Sequence, residues 1–71
     1  MTILDAATQV LKESGRSMSV KDIYDAIVLA DLYQFTAKSP RSVLSGTLRN
    51  ELKKSANPRV VELSNGVYRA A

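Results

Sequence analysis

The chain is 71 residues long and carries a formal net charge of +3, which allows one domain with a modest core. It contains neither cysteine nor histidine, which removes disulfide bonds, thiolate or imidazole metal sites and the commonest catalytic base. No apolar run is long enough to cross a membrane, and the N-terminus lacks the layout of a signal peptide. We therefore expect an intracellular protein that uses no metal and no cofactor.

The first helix is predicted over residues 3–14. Thr2 suits the N-cap position, and Asp5 three residues later completes a capping-box pattern with Asp in place of Glu. Gly15 stands where a left-handed residue commonly ends a helix. Apolar residues recur between these signals at helical spacing: Ile3, Leu4, Ala7, Val10 and Leu11.

A second helix is predicted to begin after Ser19, with Asp22 in the same capping arrangement, and to end near Ala30 or Asp31. Its apolar stripe consists of Val20, Ile23, Tyr24 and Ile27. Two carboxylates on this helix, Asp22 and Asp25, lie one turn apart. We interpret them as part of a solvated face and a helix start, not as a catalytic pair.

The two segments that flank the second helix also contain apolar residues. Met18, just before it, can pair with a later hairpin as a strand of one or two residues. Residues 32–39 form a predicted loop that is too apolar to be fully solvated. We expect Leu32 and Phe35 to turn inward and close the core.

The third helix is predicted over residues 40–54, with Ser39 as a favoured N-cap and Pro40 at the first helical position. Its buried stripe is Leu44, Leu48 and Leu52, with Val43 at one margin. The opposite side carries only small and basic residues: Ser42, Ser45, Gly46, Arg49 and Lys53. Gly46 costs about 1 kcal/mol relative to alanine in a helix interior. Close approach of a partner, close packing against another helix, or sequence drift would each account for it.

The last part of the chain reads as a β-hairpin. Residues 55–58 make a turn, residues 60–63 a strand, Ser64-Asn65-Gly66 a tight turn, and residues 67–69 the return strand. An isolated hairpin is unstable, so it must pack on the helices. Three helices followed by a hairpin is the plan of a winged helix-turn-helix, mainly α with a small β wing. We predict one such domain over residues 1–71.

The charge is distributed unevenly along the chain. Residues 1–37 hold three basic and five acidic residues, a net charge of −2, whereas residues 38–59 hold six basic and one acidic, a net charge of +5. This asymmetry suits a polyanionic partner, although a solvated lysine-rich helix gives the same pattern. No catalytic constellation or phosphate-cradling glycine loop is present, so we predict that this domain is not an enzyme.

The recognition helix of a helix-turn-helix lies in the major groove, so double-stranded DNA is the predicted partner of the third helix. Arg49 is the best candidate for a base contact, and Ser42 and Ser45 are its companions. The remaining predicted contacts are with phosphates, at the start of the helix and beyond its end: Lys38, Ser39, Arg41, Lys53, Lys54 and Arg59. The wing has only Arg69 nearby as a cation and should add little more than a backbone contact.

Several stretches of the sequence, in order, resemble one known family: Asp5–Ala7, Val10–Leu11, Met18–Tyr24, Leu32–Phe35, Lys38–Pro40, Leu48 and Asn65–Tyr68. They are similar to the HARE-HTH domain, a winged helix-turn-helix of additional-sex-combs-like chromatin proteins, restriction endonucleases and the delta subunit of bacterial RNA polymerase. The resemblance implies a DNA-binding module that targets a larger DNA-processing, restriction, transcription or chromatin protein to DNA.

The alternative is a protein-interaction module of the transcription machinery, as with the delta subunit. The acidic first half of the chain and the apolar residues Leu29 and Tyr33, if exposed, motivate this second hypothesis. RNA ranks third because no aromatic stacking platform is evident.

Overall fold

Three helices and a small sheet make up the computed structural model, which describes residues 1–71. The elements, in chain order, are α1 (Ile3–Ser14), β1 (Met18–Ser19), α2 (Val20–Leu29), α3 (Pro40–Lys54), β2 (Val60–Ser64) and β3 (Val67–Ala70). The strands form one antiparallel sheet in the order β1-β3-β2. This arrangement confirms the predicted winged helix-turn-helix. None of the helices is long and apolar enough to cross a membrane.

The first two helices begin at the predicted caps. Thr2 Oγ1 accepts a hydrogen bond from the Asp5 N–H at 3.1 Å, and the Asp5 carboxylate accepts from the Thr2 N–H at 3.3 Å, so the capping box is complete. Gly15 ends α1 in the left-handed conformation, with φ 67°. At α2 only the serine half of the box forms, since Ser19 accepts from the Asp22 N–H at 3.1 Å without a reciprocal bond.

The end of α2 differs slightly from the prediction. The helix stops at Leu29, and Asp31 adopts a left-handed conformation with φ 55°. The Asp31 N–H donates to the Val28 carbonyl and the Leu32 N–H to the Ile27 carbonyl, each at 3.1 Å. This pair of bonds is the Schellman arrangement, which satisfies the last carbonyls of the helix and turns Leu32 back toward the core.

The wing joins the helices through β3, its inner strand. Met18 pairs with Tyr68 and Ser19 with Val67, which confirms the short strand predicted near Met18. The hairpin turns at Asn65-Gly66, with Gly66 at φ 79°, and both of its strands run one residue longer than predicted. A register shift between Glu62 and Ser64 forms a bulge at Leu63.

The core lies between the helices and the inner face of the sheet. Tyr68 is its largest side chain and is fully buried, with no hydrogen-bond partner for its hydroxyl group. The other buried apolar residues come from all three helices and from β2: Ala6, Ala7, Val10, Leu11, Ile23, Ile27, Leu44, Leu48 and Val60. Leu32 and Phe35 pack against this core half-buried, as predicted, and the Phe35 ring lies 5.0 Å from that of Tyr24.

Candidate nucleic-acid interface

Burial of one side of α3 determines which of its residues face outward. Leu44 and Leu48 are fully buried, and Leu52 is half-buried. The opposite side is exposed, and we call it the α3 face; its residues are Ser42, Val43, Gly46, Arg49, Asn50, Lys53 and Lys54. Ser45, also a predicted contact, is half-buried at the margin of this face. The structure thus brings the predicted base contacts and two predicted phosphate contacts together on one surface.

Gly46 lies at the centre of the α3 face, because its neighbours one turn away are also exposed. A Cβ built at this position would meet no protein atom within 4 Å. Close packing against another helix, one of the three explanations offered for this glycine, is therefore wrong. The backbone of α3 is bare at this point and open to a partner.

The start of α3 forms a cationic cavity of about 330 Å³, lined by Tyr24, Lys38, Ser39, Pro40, Arg41 and Ser42. Neither Lys38 nor Arg41 forms an ion pair. Ser39 occupies the predicted N-cap position, but its side chain makes no capping hydrogen bond. Its backbone (φ −121°, ψ 74°) departs from the extended geometry of the capping residues Thr2 and Ser19, and this leaves the hydroxyl group free. Free amides, two cations and hydroxyl groups at a helix N-terminus suit a phosphate oxygen.

Arg59 is the one predicted contact that the structure directs elsewhere. Its guanidinium group donates to Asp5 Oδ1 at 2.6 Å, and its backbone N–H donates to Glu51 Oε2 at 2.9 Å. The hydrogen bond from Arg59, helped by those from Thr2, holds the pKa of Asp5 below its ordinary value. Arg59 therefore ties the turn after α3 to α1 and does not extend into the α3 face.

Two residues of the α3 face escaped the sequence analysis. Asn50 follows Gly46 by four residues, and a helical wheel places it on the same side; it was missed because only small and basic residues were sought there. Val43, taken as a margin of the buried stripe, is 40% exposed. Asparagine can bind adenine through two hydrogen bonds, and an apolar side chain can contact the methyl group of thymine.

The electrostatics of this surface are one-sided. Lys38, Arg41, Arg49, Lys53 and Lys54 are all exposed, and the α3 face carries no carboxylate. Glu51, the single acidic residue of α3, is half-buried and bonded to the backbone of Arg59. The wing tip offers no cation, and its Glu62 carboxylate accepts from the Gly66 N–H at 3.3 Å. No three acidic side chains lie close enough together to hold a metal ion.

Comparison with protein families places this geometry in a known context. A family model for HARE-HTH, described as an HTH domain of ASXL and restriction endonuclease proteins, matches residues 1–71. It describes a family of DNA-binding helix-turn-helix domains that are not catalytic. Comparison with curated proteins and with solved structures returned no significant match.

Proposed function

Because the chain belongs to the HARE-HTH family, we propose that it binds double-stranded DNA by placing α3 in the major groove. The observation that carries this proposal is the α3 face, a surface of small, basic and amide side chains around the bare backbone of Gly46. A helix enters a groove closely only where its outward side chains are short or can bind the groove walls. The α3 face meets this requirement along its whole length.

The base contacts are assigned by side-chain chemistry. Arg49 can donate two hydrogen bonds to O6 and N7 of guanine, and Asn50 can bind N6 and N7 of adenine. Ser42 lies one turn before Gly46 and can donate to or accept from either purine. Ser45 can do the same at the margin, where part of its surface remains accessible.

The phosphate contacts are assigned to both ends of α3. Lys38, Ser39 and Arg41 surround the cavity at its start, and Lys53 and Lys54 continue the positive surface along its last turn. Arg59 would have to release Asp5 before it could reach a phosphate, so we give it the smallest share. About five phosphate contacts correspond to a slope of roughly −5 in log K against log salt.

One short module of this kind should bind DNA in the micromolar range or more weakly at physiological salt. Useful affinity and specificity then require a second DNA-binding unit, supplied by a linked domain or a second subunit at high effective concentration. We therefore propose that the domain targets a larger DNA-processing, restriction or transcription protein to DNA.

The test is a titration of labelled duplex DNA at ~50 and ~200 mM salt. A triple variant with Arg41, Arg49 and Lys53 replaced by alanine should lose most of the affinity and most of the salt dependence. The matched control replaces Lys12, Arg16 and Arg69 by alanine, which removes the same positive charge from outside the α3 face. Equal affinity of the two triple variants would contradict the proposal, because net charge alone would then explain binding.

The second candidate function, protein interaction, is favoured by one observation: Leu29 is 89% exposed. Amide shift mapping separates the two functions. If DNA leaves α3 undisturbed while a protein partner perturbs α2 or residues 32–38, protein interaction is the main role.

A further inference from the structure

The outward side of α2 combines exposed apolar side chains with carboxylates. Ile23 and Ile27 fill the core from the inner side of this helix, while Leu29 and Val28 remain 89% and 51% exposed. We call the outward surface the α2 face; its residues are Asp22, Asp25, Val28, Leu29 and Asp31. Isolated exposed leucines are common, but two adjacent large apolar residues among carboxylates form the pattern of a binding site with a polar rim.

The carboxylates of the α2 face are only partly neutralised within the domain. Lys21 pairs with Asp25 at 3.4 Å, and both side chains are exposed. Asp22 and Asp31 have no cationic partner. The negative charge of Asp22 is favourable at the start of a helix, but that of Asp31 is unfavourable after the end of one. Fold stability therefore does not account for the charge at Asp31.

We propose that the α2 face docks a basic polypeptide segment, which places an apolar side chain against Val28 and Leu29 and flanks it with lysine or arginine. Charge complementarity identifies this occupant, because the carboxylate rim attracts cationic side chains and repels the phosphates of DNA. The α2 face and the α3 face point outward from helices that pack through their inner sides, Ile23 and Ile27 against Leu44 and Leu48. The segment can therefore dock while DNA occupies α3.

The inference rests on the proposed function in one respect. A second copy of this chain also offers a basic surface with an apolar residue, namely its α3 face with Val43. Docking of that surface would cover the DNA interface, and head-to-tail contacts of this kind extend into open filaments unless they close. If α3 is reserved for DNA, the occupant of the α2 face is a different polypeptide.

The experiment uses two synthetic helical peptides of about a dozen residues, roughly three turns. The first carries leucine at helical spacing and lysine elsewhere, and the second has serine in place of each leucine with the charge unchanged. Each is titrated into the isotope-labelled 71-residue chain, with and without bound duplex DNA. We expect the leucine peptide to shift amides of residues 21–33 in both cases, and the serine peptide to bind at least about tenfold more weakly.

Three variants with altered exposed side chains locate the contact. The Val28→Ser/Leu29→Ser double variant should bind the leucine peptide at least about tenfold more weakly. Asp31→Asn should weaken binding at low salt only, because it removes a rim charge and keeps a residue that tolerates the left-handed conformation. Leu63→Ser, a change at an exposed leucine of the wing, should have no effect.

Several outcomes would overturn the inference. Shifts centred on α3, equal binding of the two peptides, or full binding by the double variant would each show that the α2 face is not the docking surface. Self-association of the free chain that the double variant abolishes would show that the occupant is a second copy. Failure of DNA binding is seen in the duplex titration alone, so it is distinguishable from failure of the peptide to bind.

Discussion

Replacement of Gly46 by alanine should stabilise the fold and weaken DNA binding. The added methyl group meets no protein atom within 4 Å, so the substitution causes no clash. Alanine is favoured over glycine in an exposed helix interior by about 0.8–1.0 kcal/mol. For a domain of this size that gain raises the melting temperature by about 4–8 °C per kcal/mol.

The same methyl group stands at the centre of the α3 face, where we place the floor of the major groove. If the bare backbone at Gly46 approaches the bases, the methyl group moves α3 outward and weakens a base contact. The expected loss of affinity is about 1–3 kcal/mol, the contribution of one good base contact. Thermal unfolding by circular dichroism and titration of duplex DNA measure the two effects on the same samples.

Gly15→Ala provides the contrast, because the same chemical change occurs at φ 67°, where a side chain is strained. It should lower the melting temperature and leave DNA affinity unchanged. A fall in stability for Gly46→Ala would refute the claim that this position is open. Unchanged DNA affinity would refute its place at the groove.

Three further predictions concern stability. Tyr68→Phe removes a buried hydroxyl group that has no partner, so it should leave the free energy of unfolding unchanged or raise it by up to ~1 kcal/mol in urea denaturation. Asp31→Gly should raise it by up to ~1 kcal/mol, because glycine adopts φ 55° without strain; a lower midpoint would contradict this. The lowered pKa of Asp5 means that its ion pair with Arg59 stabilises the fold above the unfolded-state pKa, and that this contribution is lost as pH falls through the folded-state pKa. Arg59→Ala should therefore flatten the pH dependence of unfolding below about pH 4, and an unchanged profile would refute the assignment.

Local sequence signals predicted most of the fold correctly. The Thr2 capping box, Gly15 and the Asn65-Gly66 turn each act through neighbouring residues, so their conformations follow from a few positions of sequence. The stripe of Leu44 and Leu48 likewise identified the outward side of α3. The candidate interface was therefore largely visible in the sequence, apart from Asn50 and Val43.

The features that the sequence did not reveal depend on competition or on distant contacts. Asp31 takes a left-handed conformation usually associated with glycine, because the end of α2 needs it. Arg59 reads as one more cation of the basic segment until the fold brings it to Asp5, 54 positions away. The exposure of Leu29 also depends on which elements pack against α2, and periodicity alone does not determine that.

The central claim, that DNA lies against α3, is tested most directly by mapping amide chemical shifts of the labelled domain during titration with duplex DNA. The proposed function predicts the largest shifts at residues 38–54, centred on Gly46 and Arg49, with little change at α1 and the α2 face. Shifts confined to α1 and α2, or spread evenly over the surface, would contradict it.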